Sequence, residues 1–145
     1  MRLFTDRDVG PDIGLALRQV GVEVELYRER YTSGMVPDER WIAEVTSEAL
    51  VILTKDTHIR TRPSERTVFE AAGARAFVLA TRGATRLVNL RAVLIAWPRI
   101  ETEVGTREAP FMFGIDRAGV FTQYVPPLVR TARARSDRYG GVDAD

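Results

Sequence analysis

The 145-residue chain is long enough for one domain with a buried core, and its 21 basic and 20 acidic residues nearly cancel, which argues against a protein that coats nucleic acid by bulk charge. The absence of cysteine excludes a disulfide framework, a thiolate nucleophile and a cysteine-ligated metal. No apolar run approaches the roughly 18 residues of a membrane span, and the opening M-R-L-F-T-D turns acidic before a signal-peptide core can form, so the expectation is a cytoplasmic protein.

Leu3 and Phe4 begin a short strand that runs into T-D-R-D, leaving Asp6 and Asp8 just past its end. Pro11 suits a helix start, where its missing N–H costs nothing. Ile13, Leu15, Ala16, Leu17 and Val20 supply an apolar helical face that Gly21 closes. Val22, Val24 and Leu26 alternate with Glu23 and Glu25, as in a strand with one face exposed. Tyr27 to Pro37 reads as a polar loop, marked by Ser33-Gly34. Asp38 and Glu39 then open a helix whose inward face is Trp41, Ile42, Val45 and Ala49.

Val51, Ile52, Leu53 and Thr54 form a run too short for a buried helix, hence a buried strand. It stops on Lys55 and Asp56, and a cationic loop follows with His58, Arg60, Arg62 and Arg66. Pro63 and Ser64 start a helix with Val68, Phe69 and Ala72 inward and Gly73 at its end, and Ala76 to Leu79 is the next buried strand. Leu87, Leu90, Leu94 and Trp97 mark a long amphipathic helix, interrupted at Pro98. Phe111, Phe113 and Ile115 lead through Asp116-Arg117-Ala118-Gly119 into Val120 to Val125, a hairpin with Gly119 where φ turns positive. Alternating strands and helices imply a mostly parallel, helix-covered sheet closed by that hairpin.

Acids recur at comparable points in this order. If the first and third strands are parallel neighbours, their carboxyl ends bring Asp6, Asp8 and Asp56 to one edge, with Asp38 and Glu39 opening the helix before the third strand. Clustered carboxylates without cysteine or paired histidines are oxygen ligands that favour Mg²⁺ or Mn²⁺. Such ions activate water for in-line displacement at phosphate, and Lys55, Arg60 and Arg62 supply charge for a phosphate backbone. Each acid also has a plainer reading. Asp8 suits a cap of the first helix, Asp38 a cap of the helix it opens, Asp56 a cap of the next turn, and Glu65, which could also reach the metal edge, a first-turn helix charge. His58 is the only histidine and suits a loop role, while Trp41 and Trp97 suit the core. Arginine supplies every basic residue except Lys55, a bias that base composition explains as readily as phosphate binding does.

Three stretches, L-F-T-D-R-D-V-G, P-D-E-R-W-I-A-E-V and V-I-L-T-K-D-T-H-I-R-T-R-P-S-E-R, resemble the PIN-domain-like nucleases, most of all the compact branch that includes VapC-type toxins. The likeness runs from about Arg2 to Leu79. It implies a three-layer α/β/α fold over residues 1–127; beyond Pro126-Pro127, T-A-R-A-R-S-D-R-Y-G-G reads as a flexible basic tail at 128–145. It also implies a Mg²⁺- or Mn²⁺-dependent endoribonuclease, often a homodimer, silenced by a cognate antitoxin. The family's acid after the first strand, acid opening the pre-strand helix and T-x-D fall here on Asp6, Asp38 and Asp56, with Asp8 in support. A further family acid, commonly glutamate, has Glu29 as its sole counterpart between Tyr27 and Pro37. A catalytically degenerate PIN-like module that binds RNA or a protein keeps the fold without the chemistry. A phosphoreceiver domain would use Asp6, Asp8, Asp56 and Thr81, but it needs a lysine at the end of its fifth strand. The only lysine here precedes Asp56.

Overall fold

Short apolar runs separated by amphipathic segments fold as alternating strands and helices because each run buries both faces only beneath helices. The computed structural model describes residues 1–126, so the tail expected at 128–145 lies outside the described residues. In chain order the elements are β1 (Arg2–Thr5), α1 (Pro11–Gln19), β2 (Glu23–Leu26), α2 (Tyr27–Arg30), α3 (Asp38–Ser47) and β3 (Val51–Thr54). They continue with α4 (Pro63–Ala72), β4 (Arg75–Leu79), α5 (Arg86–Thr106), β5 (Phe111–Ile115) and β6 (Phe121–Val125). Single 3-10 turns, Arg7–Val9 and Thr57–Arg60, follow β1 and β3.

The six strands form one sheet in the order β2-β1-β3-β4-β5-β6. The first five run parallel and β6 returns antiparallel on β5. Leu3, Phe4 and Thr5 pair with Val51, Ile52 and Leu53, so β1 and β3 end level with each other. On one face α1 and α5 pack Ile13, Leu17, Val93 and Ile100 against Leu3, Leu53, Phe77 and Phe113. On the other face α2, α3 and α4 bring Tyr27, Trp41, Val45 and Phe69 onto Phe4, Ile52 and Val78. The result is the expected three-layer α/β/α arrangement with a closing hairpin. Trp41 is fully buried, its ring centroid 5.4 Å from that of Phe4. Truncating an enclosed ring of that size costs about 3–5 kcal/mol. Among the described residues no helix is long and apolar enough to cross a membrane.

Several local expectations give way. The stretch read as loop from Tyr27 contains the one-turn α2, and Tyr27 itself is buried. Helix α3 ends at Ser47, so Ala49 falls beyond it, exposed at a φ of 60°, and Leu50 is buried instead. Leu15, Val20 and Ala72 face solvent. In α5 the buried face is Asn89, Ala92, Val93, Ala96 and Ile100, while Leu87 and Leu94 are exposed. That helix carries two neighbouring apolar stripes, and the sheet takes the one whose small residues allow close approach. Nor does Pro98 interrupt α5. It lies on the exposed side, where a carbonyl freed by the missing N–H can reach water.

The hairpin forms as expected, with Gly119 at φ 77° in its turn. Within it, an ideal Cβ on Gly114 would run into the Tyr124 ring, whose Cε2 lies 2.8 Å away. A planar ring in a paired strand yields little, so Gly114→Ala is expected to lose about 1–3 kcal/mol, the usual range for overpacking. Urea unfolding of the variant beside wild type measures this loss.

Candidate active site

The site begins where β1 and β3 end side by side. The Asp6 N–H donates to the Leu53 carbonyl at 2.9 Å, which carries the ladder one step past Thr5. The Asp6 carboxylate then accepts the Arg7 N–H at 2.6 Å and the Thr54 hydroxyl at 2.9 Å. Thr54 is fully buried and its Oγ1 also accepts the Asp56 N–H at 3.0 Å. One hydroxyl thus ties the two strand-end acids together. Asp6 is only 7% exposed, and burial, opposed by these hydrogen bonds and reinforced by Asp8 and Asp38, pushes its carboxyl up to about 6.

Asp38 is the first residue of α3, not its cap; the cap position is Pro37. Its Oδ1 accepts the Trp41 Nε1–H at 2.8 Å, so the packed tryptophan aims the acid. Asp56 caps the second 3-10 turn, accepting the His58 N–H at 2.9 Å. Glu65 joins them from the first turn of α4 and is only 5% exposed. Its Oε1 accepts from Arg62 at 3.0 Å, and its Oε2 is buried without a hydrogen-bond partner among the described residues. Burial raises the Glu65 pKa; Arg62 opposes the shift, and the Asp38 and Asp56 charges add to it.

Carboxylate oxygens of Asp38, Asp56 and Glu65 lie within 4.8 Å of one another. Two such charges at that spacing repel by about 3 kcal/mol at an effective dielectric constant of about 20. Within ion-pair distance, Arg62 reaches Glu65 at 3.0 Å and Asp38 at 4.0 Å, with its side chain 54% exposed. An all-oxygen donor set, an orphaned buried Oε2 and mutual repulsion fit a hard divalent cation. Asp6, Asp8, Asp38 and Asp56 all line a cleft of about 320 Å³ in front of this group, together with His58 and Arg62.

A family model described as a PIN-like domain matches residues 1–81. The chain belongs to the PIN-like domain family. No curated protein and no solved structure matches it significantly. The matched span runs from β1 through β4 and contains Asp6, Asp8, Asp38, Asp56 and Glu65. PIN-like domains are typically nucleases and generally use divalent metals, so membership implies a nucleic-acid substrate.

Within this PIN-like domain the other residues singled out from sequence are distributed more widely. Asp8 is exposed on the first 3-10 turn and lines the cleft without joining the tight trio. Lys55 and Arg60 line an adjoining groove of about 770 Å³ with Arg82 and Tyr124, the Arg60 guanidinium lying 4.2 Å from the Tyr124 ring centroid. Glu29, the candidate for the further family acid, is instead engaged by Arg18 at 2.6 Å and by the Leu26 N–H at 2.9 Å. Glu65 has two readings from the sequence, a reach to the metal edge and a first-turn helix charge, and the structure places it beside Asp38 and Asp56. It lies three and four residues before Val68 and Phe69, on their inward stripe, and a carboxylate on a buried stripe was the available signal. The phosphoreceiver reading lacks its lysine, since β5 runs into Asp116 and the Thr81 hydroxyl is spent on Asn89.

Proposed function

We propose that this protein is a Mg²⁺- or Mn²⁺-dependent endoribonuclease, the toxin of a toxin–antitoxin pair, which hydrolyses RNA phosphodiester bonds. The observation that carries the reading is the convergence of Asp38, Asp56 and Glu65, with the buried Glu65 Oε2 lacking a partner. Asp6, Asp38 and Asp56 hold the ion, joined by Glu65 and supported by Asp8. A bound divalent ion supplies positive charge against the scissile phosphate and lowers the pKa of water. Thr54 keeps Asp6 and Asp56 in fixed relation through its two hydrogen bonds, so the cleft does not reorganise as charge develops. Arg62, half exposed beside two of the acids, and Lys55 and Arg60 along the adjoining groove position the phosphate backbone. An acidic antitoxin segment would compete for the same arginines, and a second copy of the chain is the expected partner in a homodimer. The catalytic domain spans residues 1–127.

The test is cleavage of a mixed RNA by the full chain, free of antitoxin, with Mg²⁺ or Mn²⁺. Wild type is expected to cut, EDTA to stop it, and Asp56→Asn to lower the rate at least 10³-fold, on the scale set by losing a metal's charge stabilisation. A folded protein that binds RNA and Mn²⁺ but cuts nothing would be the degenerate binding module instead.

A further inference from the structure

Next to the acidic cleft lies a second cavity, of about 500 Å³, that the nuclease reading leaves unused. Its walls are Pro11, Leu26, Tyr27, Tyr31 and Met35, predominantly apolar, and its volume is that of a small-molecule site. The two tyrosine rings stand 5.0 Å apart at 52°. Both hydroxyls are occupied, Tyr31 donating to Glu44 at 2.6 Å and Tyr27 accepting the Val36 N–H at 3.0 Å. The rings are therefore held in position where they line the cavity. Asp6, Arg7, Tyr27 and Met35 line both cavities, so the two are neighbours with a shared wall. Arg7 and Arg28 add exposed positive charge at the apolar cavity.

We infer that this cavity is a nucleobase pocket, which receives a base of the RNA strand whose phosphate lies at the acidic cleft. Three features favour a base over an apolar protein side chain. The cavity shares a wall with the acidic cleft, cations flank it as a phosphodiester backbone requires, and two fixed tyrosine rings line it, of the kind on which bases stack with sequence-tolerant affinity. The inference rests on the nuclease reading for the identity of the strand, but not on catalysis.

The experiment uses the full chain labelled with ¹³C at its methionine methyl groups. Met35 is exposed at the cavity and Met112 is buried in the core, so one reports on the pocket and the other on the fold. The probes are the four 5′-ribonucleoside monophosphates, which contain no phosphodiester to cleave, with ribose 5-phosphate as the control. At least one nucleotide is expected to move the Met35 signal saturably, with the Met112 signal in place and ribose 5-phosphate without effect. Tyr31→Ala should bind about tenfold more weakly, as loss of one stacking face implies, and Tyr31→Phe, which keeps the ring and loses only its tether to Glu44, should fall between it and wild type. A Met35 signal that no nucleotide moves, or that ribose 5-phosphate moves equally, would overturn the pocket, and the wild-type protein alone decides this. RNA cleavage with an unmoved Met35 removes the pocket and leaves the nuclease. A moved Met35 in a protein that cuts nothing removes the nuclease and leaves the pocket.

Discussion

Glu65→Gln is expected to abolish RNA cleavage, by at least 10³-fold, and to weaken Mn²⁺ binding by about 10- to 100-fold or more. The Glu65 carboxylate shares a space of less than 5 Å with Asp38 and Asp56, and one of its oxygens has no hydrogen-bond donor. A buried carboxylate in that condition is costly to the fold, and a cation is what repays it. The amide keeps the volume and removes the charge. In the absence of metal, Glu65→Gln should therefore unfold no more readily than wild type, even as function disappears. That split separates a ligand from a merely structural acid. Calorimetry with Mn²⁺, RNA cleavage and metal-free urea unfolding on one preparation read all three quantities. Full activity in Glu65→Gln would remove this residue from the site.

The second large effect is a stability that falls as pH rises. The Asp6 carboxyl stands at about 6 in the folded protein against an ordinary 3.8, so folding takes up a proton between those values. The favourable contribution is present below about pH 4 and is lost as pH rises through 6. The burial-driven rise of Glu65 has the same sign. For Asp6 the shift corresponds to about 3 kcal/mol, taken as an order of magnitude. Metal-free wild type should therefore lose stability between pH 5 and pH 7.5. Asp6→Asn should flatten that slope and be the more stable protein at pH 7.5, by about 2 kcal/mol once the altered Thr54 bond is allowed for. Urea unfolding at the two pH values, with EDTA present, measures it. Parallel pH profiles for wild type and Asp6→Asn would show that Asp6 carries no such shift.

Much of this arrangement was legible from residues alone. Val51–Thr54 is apolar on both faces because β3 lies mid-sheet between two helical layers, so its strand character and burial followed from its run of residue types. Asp6 and Asp56 stand at the ends of parallel neighbours, which is why a one-dimensional reading could pair acids 50 positions apart. The face of α5 was not legible. Leu87 and Leu94 form as regular a stripe as Ala92, Ala96 and Ile100, and only the space above the sheet decides between them. Glu65 was only half legible for a related reason, since a glutamate in a first helical turn that could reach the metal edge serves the helix dipole in solvent equally well. The apolar cavity lay beyond sequence reasoning altogether. Its tyrosines meet because the chain turns through α2 directly after β2, within a stretch whose polarity reads as loop.

The most direct test of the central claim is the anomalous scattering of Mn²⁺ in crystals of the full chain grown or soaked with the ion at saturating concentration. The account predicts a peak among the carboxylates of Asp6, Asp38, Asp56 and Glu65, which disappears in Asp56→Asn. A peak held by other residues, or none at this cleft, would contradict it.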